Sequence, residues 1–145
     1  MATPDTGDPH QLQRFVTAQA GLYDQALGEL TRGRKQSHWM WFVFPQIAGL
    51  GMSEMSRRYA IRDRDEARAY LAHPLLGPRL RACAEAVLAH DGLSAHDIFG
   101  SPDDMKLRSS ATLFAAVSEP GSIYERVLEK YFDGRRDEAT ERLLK

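Results

Sequence analysis

The sequence contains an uninterrupted run of bulky apolar residues, Trp39 to Phe44 (WMWFVF), which ends at Pro45. Such a run must be buried, because it would otherwise expose a large contiguous apolar surface. Aromatic and β-branched residues favour strands. No other segment offers a comparable run to pair with, and a lone strand would leave its backbone groups unpaired. We therefore interpret residues 37–44 as a short buried helix or a tight extended plug wrapped by the other elements.

The remaining sequence is dominated by helix signals. Near the N-terminus, residues that share one helix face recur at intervals of three and four positions, at Leu12, Phe15, Val16 and Gln19 and again at Tyr23, Leu27 and Leu30. They predict two short helices, or one helix broken at Gly21. Three further helix starts are predicted at capping residues, namely Asp63 (with Glu66), Ser94 and Ser122. A stripe of apolar residues from Leu75 to Leu88 predicts another helix.

The strongest helix start is Ser101-Pro102-Asp103-Asp104. It combines a serine predicted to cap the helix, a proline predicted at the first helical position, and acids at the positive end of the helix dipole. The helix that follows, through residue 118, is apolar on nearly all sides, which is typical of a helix inside a bundle. The sequence therefore predicts an all-α fold, a compact multihelical single domain with a buried central helix.

Length, charge and cysteine content limit what such a chain does. Its 145 residues fit one domain, which we place at residues 11–145 after a frayed tail at 1–10. The 19 basic and 20 acidic residues give a net charge of −1 and no electrostatic reason to expect a nucleic-acid or membrane partner. Cys83 is the single cysteine, which excludes an internal disulfide and is compatible with a reducing cytoplasm.

The sequence predicts neither a cofactor nor a metal site. No two histidines lie four residues apart on a plausible helix, and no glycine spacing matches a phosphate-binding or dinucleotide motif. The longest apolar run is too short to span a bilayer. The acidic N-terminus does not resemble a secretory signal, so we expect a cytoplasmic protein.

The most distinctive polar segment is Arg32 to His38 (RGRKQSH), immediately before the apolar run. Arg34, Lys35, Ser37 and His38 are residue types that bind anions, and together they predict an anion-binding loop, whose four residues we call the cradle residues. If Ser37 caps a helix, the backbone amides exposed at the start of that helix would add to the positive potential. The alternative is a solvated charged loop in which Ser37 and His38 form only local hydrogen bonds.

A second polar group lies on the first turns of the predicted central helix. Lys106 and Ser109 are three residues apart and can present an ammonium and a hydroxyl together, although such serines also serve as small packing residues that return their hydroxyl to a preceding carbonyl. We predict that Lys106 and Ser109 join the cradle residues at a pocket edged by Trp39 or Trp41.

Two functions follow from these groups. The first is the binding or processing of a small anionic ligand, such as a nucleotide or a phosphorylated metabolite. The second is a non-enzymatic protein-interaction module whose polar segments only cap and position helices. The sequence does not decide whether the chain is an enzyme.

Two other segments have simpler interpretations. Gly49 and Gly51 free the backbone for a turn or for close approach to a ligand, and a turn alone explains them. Tyr59 and the Arg57-Arg58 pair can reach a ligand, but a role on a helix surface suffices.

Several segments resemble a domain-of-unknown-function family, numbered eighteen-ten, whose mycobacterial members are hypothetical proteins. These segments are Arg14–Gln19, Gly33–Gln46, Gly49–Gly51, Ser56–Ile61, Tyr70–Gly77 and Lys106–Phe114. The resemblance implies a small all-α domain over about residues 11–134, and it brings no accepted activity, cofactor or catalytic residue. Some members carry the name calpastatin, but an inhibitor of that kind works through disordered repeats, which this sequence lacks.

Overall fold

The computed structural model describes residues 8–145, and these residues form ten helices. In chain order the helices are α1 (Gln13–Gln19), α2 (Tyr23–Arg32), α3 (Met40–Val43), α4 (Glu54–Arg58), α5 (Arg64–Ala72), α6 (Leu76–Leu88), α7 (Ala95–Phe99), α8 (Asp103–Ala116), α9 (Ile123–Phe132) and α10 (Glu138–Leu143). A single parallel bridge, between Ile47 and Ile61, is the β pairing in the described part of the chain. The predicted all-α class is confirmed.

Helix α8 lies at the centre of the fold. Its residues from Ser109 to Ala115 are all buried, including three polar ones. It packs against α5, α7, α9 and α10. This confirms the predicted buried central helix, whose short serine and alanine side chains let several neighbouring helices approach closely.

The apolar run forms the short helix α3 together with the residues that flank it. Trp39, Phe42 and Phe44 are buried, whereas Trp41 is half-buried. Helix α1 packs on α3, and the Gln19 side-chain amide donates to the Phe42 carbonyl at 2.7 Å. Within residues 37–44, Met40–Val43 therefore adopt the first of the two predicted conformations, a short buried helix, while Ser37–Trp39 and Phe44 flank it as non-helical backbone.

The predicted caps at Asp63, Ser94 and Ser122 are confirmed, since each side chain accepts a backbone N–H of the first helical turn. The predicted cap at Ser101 is wrong. Pro102, not Ser101, occupies the N-cap position of α8, and it has no side-chain acceptor. The first amides of α8 are satisfied instead by the carbonyls of Gly100 and Pro102. The acids at the positive end of the helix are present as predicted, because Asp103 and Asp104 lie in the first turn.

The predicted tail at residues 1–10 lies largely outside the described residues. Asp8 is described, and its carboxylate accepts the amides of Leu12 at 2.7 Å and Gln13 at 2.9 Å at the start of α1. Across residues 8–145, none of the helices combines the length and the apolar character that crossing a bilayer requires.

Cys83 lies on the inward face of α6 and is fully buried. Burial raises the pKa of its thiol to about 12, and the nearby Arg79 offsets only part of this effect. Because the thiolate is the reactive form, we expect the native protein to react slowly with a chromogenic thiol reagent and the denatured protein to react rapidly. Fast stoichiometric labelling of the native chain would contradict this placement.

Candidate functional site

The loop between α2 and α3 is organised by a buried carboxylate, Glu29, which is 2% exposed. Its oxygens accept the backbone amides of Gln36 at 2.8 Å and Ser37 at 3.1 Å, and the indole N–H of Trp39 at 2.9 Å. The Ser37 hydroxyl and, at 3.2 Å, the Gln25 side-chain amide complete the set. Glu29 therefore holds residues 36–39 in place from the neighbouring helix.

Glu29 is ionised in this setting despite its burial. Burial by itself raises the pKa of the carboxyl group, but the hydrogen bonds from Ser37, Gln36 and Trp39 together favour the charged form more strongly. The net effect lowers the pKa of Glu29 from 4.5 to about 2. With its acceptor capacity occupied by donors of this chain, Glu29 acts as a structural anchor for the loop.

Lys35 connects this loop to the start of α8. Its ammonium lies 2.8 Å from Asp103 Oδ2 and 2.6 Å from the Ser37 carbonyl oxygen, and it sits 4.9 Å from the centre of the Trp39 ring. The side chain is only 7% exposed. A charge this enclosed needs all three contacts, because each replaces part of the hydration that the ammonium has lost.

Lys106 approaches the same carboxylate from the other side. Its ammonium lies 3.4 Å from Asp103 Oδ1 and 5.1 Å from the centre of the Trp41 ring, and the side chain is 24% exposed. Two lysines therefore flank one aspartate, each against a tryptophan ring. Lys106 is the more loosely held and more exposed of the two cations.

A cavity of about 260 Å³ opens beside this cluster. One wall is the loop from Lys35 to His38, and the others come from α3 and from the residues that begin α8. The lining residues are Lys35, Gln36, Ser37, His38, Met40, Trp41, Ser101, Pro102 and Asp103. We call this the loop–α8 cavity.

The cavity brings some of the predicted site residues together. Lys35, Ser37, His38 and Trp41 line it. Trp39 and Lys106 do not line the cavity, but each contacts a residue that does. The Trp39 ring lies under the Lys35 ammonium, and the Lys106 ammonium lies over the Trp41 ring.

The other predicted residues take different positions. Arg34 is exposed, and within residues 8–145 its side chain forms neither a hydrogen bond nor an ion pair. Ser109 is buried and donates its hydroxyl to the Met105 carbonyl at 3.2 Å, as a packing serine does. Ser37 caps no helix, because α3 starts after Trp39 without a side-chain cap and the Ser37 hydroxyl binds Glu29.

Sequence reasoning did not identify Glu29. The one signal for it is position, since it lies between Ala26 and Leu30 on the buried side of α2. Asp103 was identified only as a helix-start residue. Its second role, as the counter-ion of Lys35, joins residues far apart in the chain.

The helices of residues 8–145, packed around α8, define the chain as an all-α protein with a small polar cavity at its surface. The family model described as "Protein of unknown function (DUF1810)" matches residues 9–144. The chain belongs to this family.

A solved structure with the same fold is the crystal structure of the conserved hypothetical protein Rv1873 from Mycobacterium tuberculosis. The two sequences are 50% identical, the TM-score is 0.93, and the match covers 94% of this chain and 98% of that one. A search of curated proteins finds no match. The family model and this solved structure thus agree with the all-α fold and assign no specific function.

Proposed function

We propose that the protein binds a small anionic ligand, such as a nucleotide or a phosphorylated metabolite, in the loop–α8 cavity. The observation that carries the proposal is the pair of ammonium groups at its edge, where Lys35 and Lys106 share the carboxylate of Asp103 and Lys106 remains partly exposed. An incoming anion offers Lys106 a closer partner than its 3.4 Å contact with Asp103.

The two lysines have different parts in this proposal. Lys35 is enclosed and keeps Asp103 neutralised at 2.8 Å. Lys106 is more exposed and lies farther from Asp103, at 3.4 Å. Lys106 can therefore turn toward a ligand without leaving the aspartate unpaired, and a charge-assisted hydrogen bond to phosphate is stronger than the long contact it replaces.

The remaining walls suit the rest of such a ligand. Trp41 is half-buried and offers part of its ring to a planar group, while the exposed His38 supplies ring nitrogens that donate or accept hydrogen bonds. The cavity volume of about 260 Å³ lies just below the usual range for sites that hold a drug-sized ligand. It suits a phosphate with a small attached group. Arg34, exposed on the same loop, can add a bidentate contact from outside the cavity.

We expect AMP or ribose 5-phosphate to raise the melting temperature of the protein, because a ligand that binds the native state stabilises it by mass action. By calorimetric titration, Lys106→Met should weaken binding of the active probe by about tenfold, since it keeps the stem of the side chain and removes the charge. Arg126→Ala is the matched control, because Arg126 is exposed on α9 and the loop–α8 cavity is lined by other residues.

Two results would contradict the proposal. One is the failure of every nucleotide and sugar phosphate tested to shift the melting temperature, which favours the protein-interaction module. The other is equal binding by wild type and Lys106→Met, which would move the ligand away from this cavity.

A further inference from the structure

A second surface of the protein concentrates arginines around one groove. The groove has a volume of about 450 Å³ and lies between the start of α1, the end of α4 and the segment that leads to α5. Its lining consists of Gln11, Arg14, Ala48, Arg57, Arg58, Ala60 and Arg62, which include four arginines and no acidic residue. We call it the arginine groove.

Arg14 forms the rigid base of this groove. Its guanidinium donates to four backbone carbonyls and to a carboxylate, those of His10, Gln11, Arg58, Ala60 and Glu66, at 2.8–3.0 Å. The parallel bridge between Ile47 and Ile61 fixes the neighbouring wall. All the donors of Arg14 are thereby used within the protein, so this residue shapes the groove and leaves ligand contacts to the other arginines.

Those other arginines keep free donors. Arg57 is exposed, and its side chain has no hydrogen bond or ion pair within residues 8–145. Arg62 contacts Glu66 only through Nε, at 3.5 Å, and is 65% exposed. Arg58 has one contact of 3.4 Å with Glu54, whose side chain is 84% exposed. Exposed pairs of this kind contribute little and are easily exchanged.

The acids near the groove do not neutralise it. Glu66 is fully buried beneath Arg14 and Arg62, and Glu54 lies on the outer side of α4, outside the groove lining. Arg14 pairs closely with Glu66, whereas Arg58 and Arg62 have only the long contacts described above and Arg57 has none within residues 8–145, so exposed positive charge collects at one place in a chain whose net charge is −1. The groove therefore presents several exposed guanidinium groups, whose combined positive potential attracts an anion that carries more than one charge.

We infer that the arginine groove is a binding site for a compact oligophosphate, a di- or triphosphate either free or as part of a nucleotide. Guanidinium groups pair with phosphate oxygens through two parallel hydrogen bonds, and a di- or triphosphate has enough oxygens and charge to pair with more than one arginine at a time. The small side chains of Ala48 and Ala60 leave room for the phosphates between the arginines. Because the excess charge is confined to one groove, a short oligophosphate fits it better than an extended nucleic-acid backbone. This site is independent of the loop–α8 cavity.

The test is calorimetric titration of the full chain with inorganic tripolyphosphate and, separately, with ATP. We expect both to bind, and we expect Arg57→Ala/Arg62→Ala to weaken tripolyphosphate binding by about tenfold or more. The matched control is Arg81→Ala/Arg126→Ala, which removes the same charge from exposed arginines of α6 and α9. The single variant Arg57→Ala is included because it should fold normally, since the Arg57 side chain makes no polar contact within residues 8–145. It should still weaken tripolyphosphate binding.

Three outcomes would overturn the inference. The first is that tripolyphosphate and ATP do not bind but a short single-stranded oligonucleotide does, which would make the groove a nucleic-acid-binding surface. The control variant loses as much affinity as the groove variant, which would reduce the effect to net charge. Lys106→Met abolishes tripolyphosphate binding while Arg57→Ala/Arg62→Ala does not, which would move the anion to the loop–α8 cavity.

Discussion

Replacement of Glu29 by alanine is expected to lower the free energy of unfolding by about 4 kcal/mol. The largest part comes from the Trp39 indole, which is fully buried and would lose the partner of its N–H. The amides of Gln36 and Ser37 would also lose a charged acceptor. The measurement is equilibrium denaturation in urea, in which the midpoint should shift while the slope m of the free energy of unfolding against urea concentration stays the same.

Glu129→Ala provides the matched control, because Glu129 is exposed on α9 and the same substitution there should change stability by less than about 0.5 kcal/mol. A loss below about 1 kcal/mol for Glu29→Ala would show that Glu29 does not anchor the loop. Because Lys35 reaches Asp103 from this loop, the variant should also weaken any ligand binding in the loop–α8 cavity.

The same carboxylate makes stability depend on pH. The folded pKa of Glu29 is about 2, below its ordinary value of 4.5, so its contribution is fully present above about pH 5 and is lost as the pH falls toward 2. Between about pH 6 and about pH 3 this amounts to roughly 2 kcal/mol. Glu29→Gln cannot titrate at this position, so its stability should fall less than that of the wild type over this interval. Parallel pH profiles would contradict this assignment.

The features that the sequence predicted correctly are those that depend on neighbours along the chain. A capping residue and the amide it binds are three positions apart, as for Asp63 and Glu66, and Gly21 at φ +78° separates α1 from α2 on its own. Even these local rules fail where two neighbouring residues compete for the same position. At the start of α8, Pro102 takes the N-cap position that the rule assigns to Ser101.

The parts of the site that sequence reasoning missed depend on contacts between distant segments. Lys35 and Asp103 were both noted as polar residues of the sequence, but no sequence pattern pairs two residues that are separated by five helices. The arginine groove is similar, since Arg57 and Arg58 were noted as a pair while Arg14 joins them from 44 positions away. Tertiary packing decides such contacts, and periodicity carries no information about them.

Replacement of Phe114 by alanine should produce the second large loss of stability, about 4 kcal/mol. Phe114 lies on α8 with no exposed surface, and its ring centre is 5.4 Å from that of Tyr70 on α5 and 5.8 Å from that of Tyr124 on α9. Removing the ring leaves a cavity between three helices that hold one another in place. Phe42→Ala on α3 should cost a similar amount, because Phe42 is 4% exposed and stacks edge-on against Tyr59.

Phe132→Ala tests how much of the loss at Phe114 comes from the cavity left in the core and how much from removing the phenyl ring itself. Phe132 ends α9 and is only half-buried, so solvent and neighbouring side chains can fill the space that its ring leaves. The same substitution there should cost about 2 kcal/mol, roughly half the loss at Phe114. Equal losses at the two positions, or losses below about 1 kcal/mol for both Phe42→Ala and Phe114→Ala, would contradict a core that α3 and α8 form together. Unequal losses in the expected order would mean that the packing around α8 is too rigid to close the space left by the ring. The same rigidity holds the backbone of Asp103 and Lys106, on the first turns of α8, beside the loop–α8 cavity.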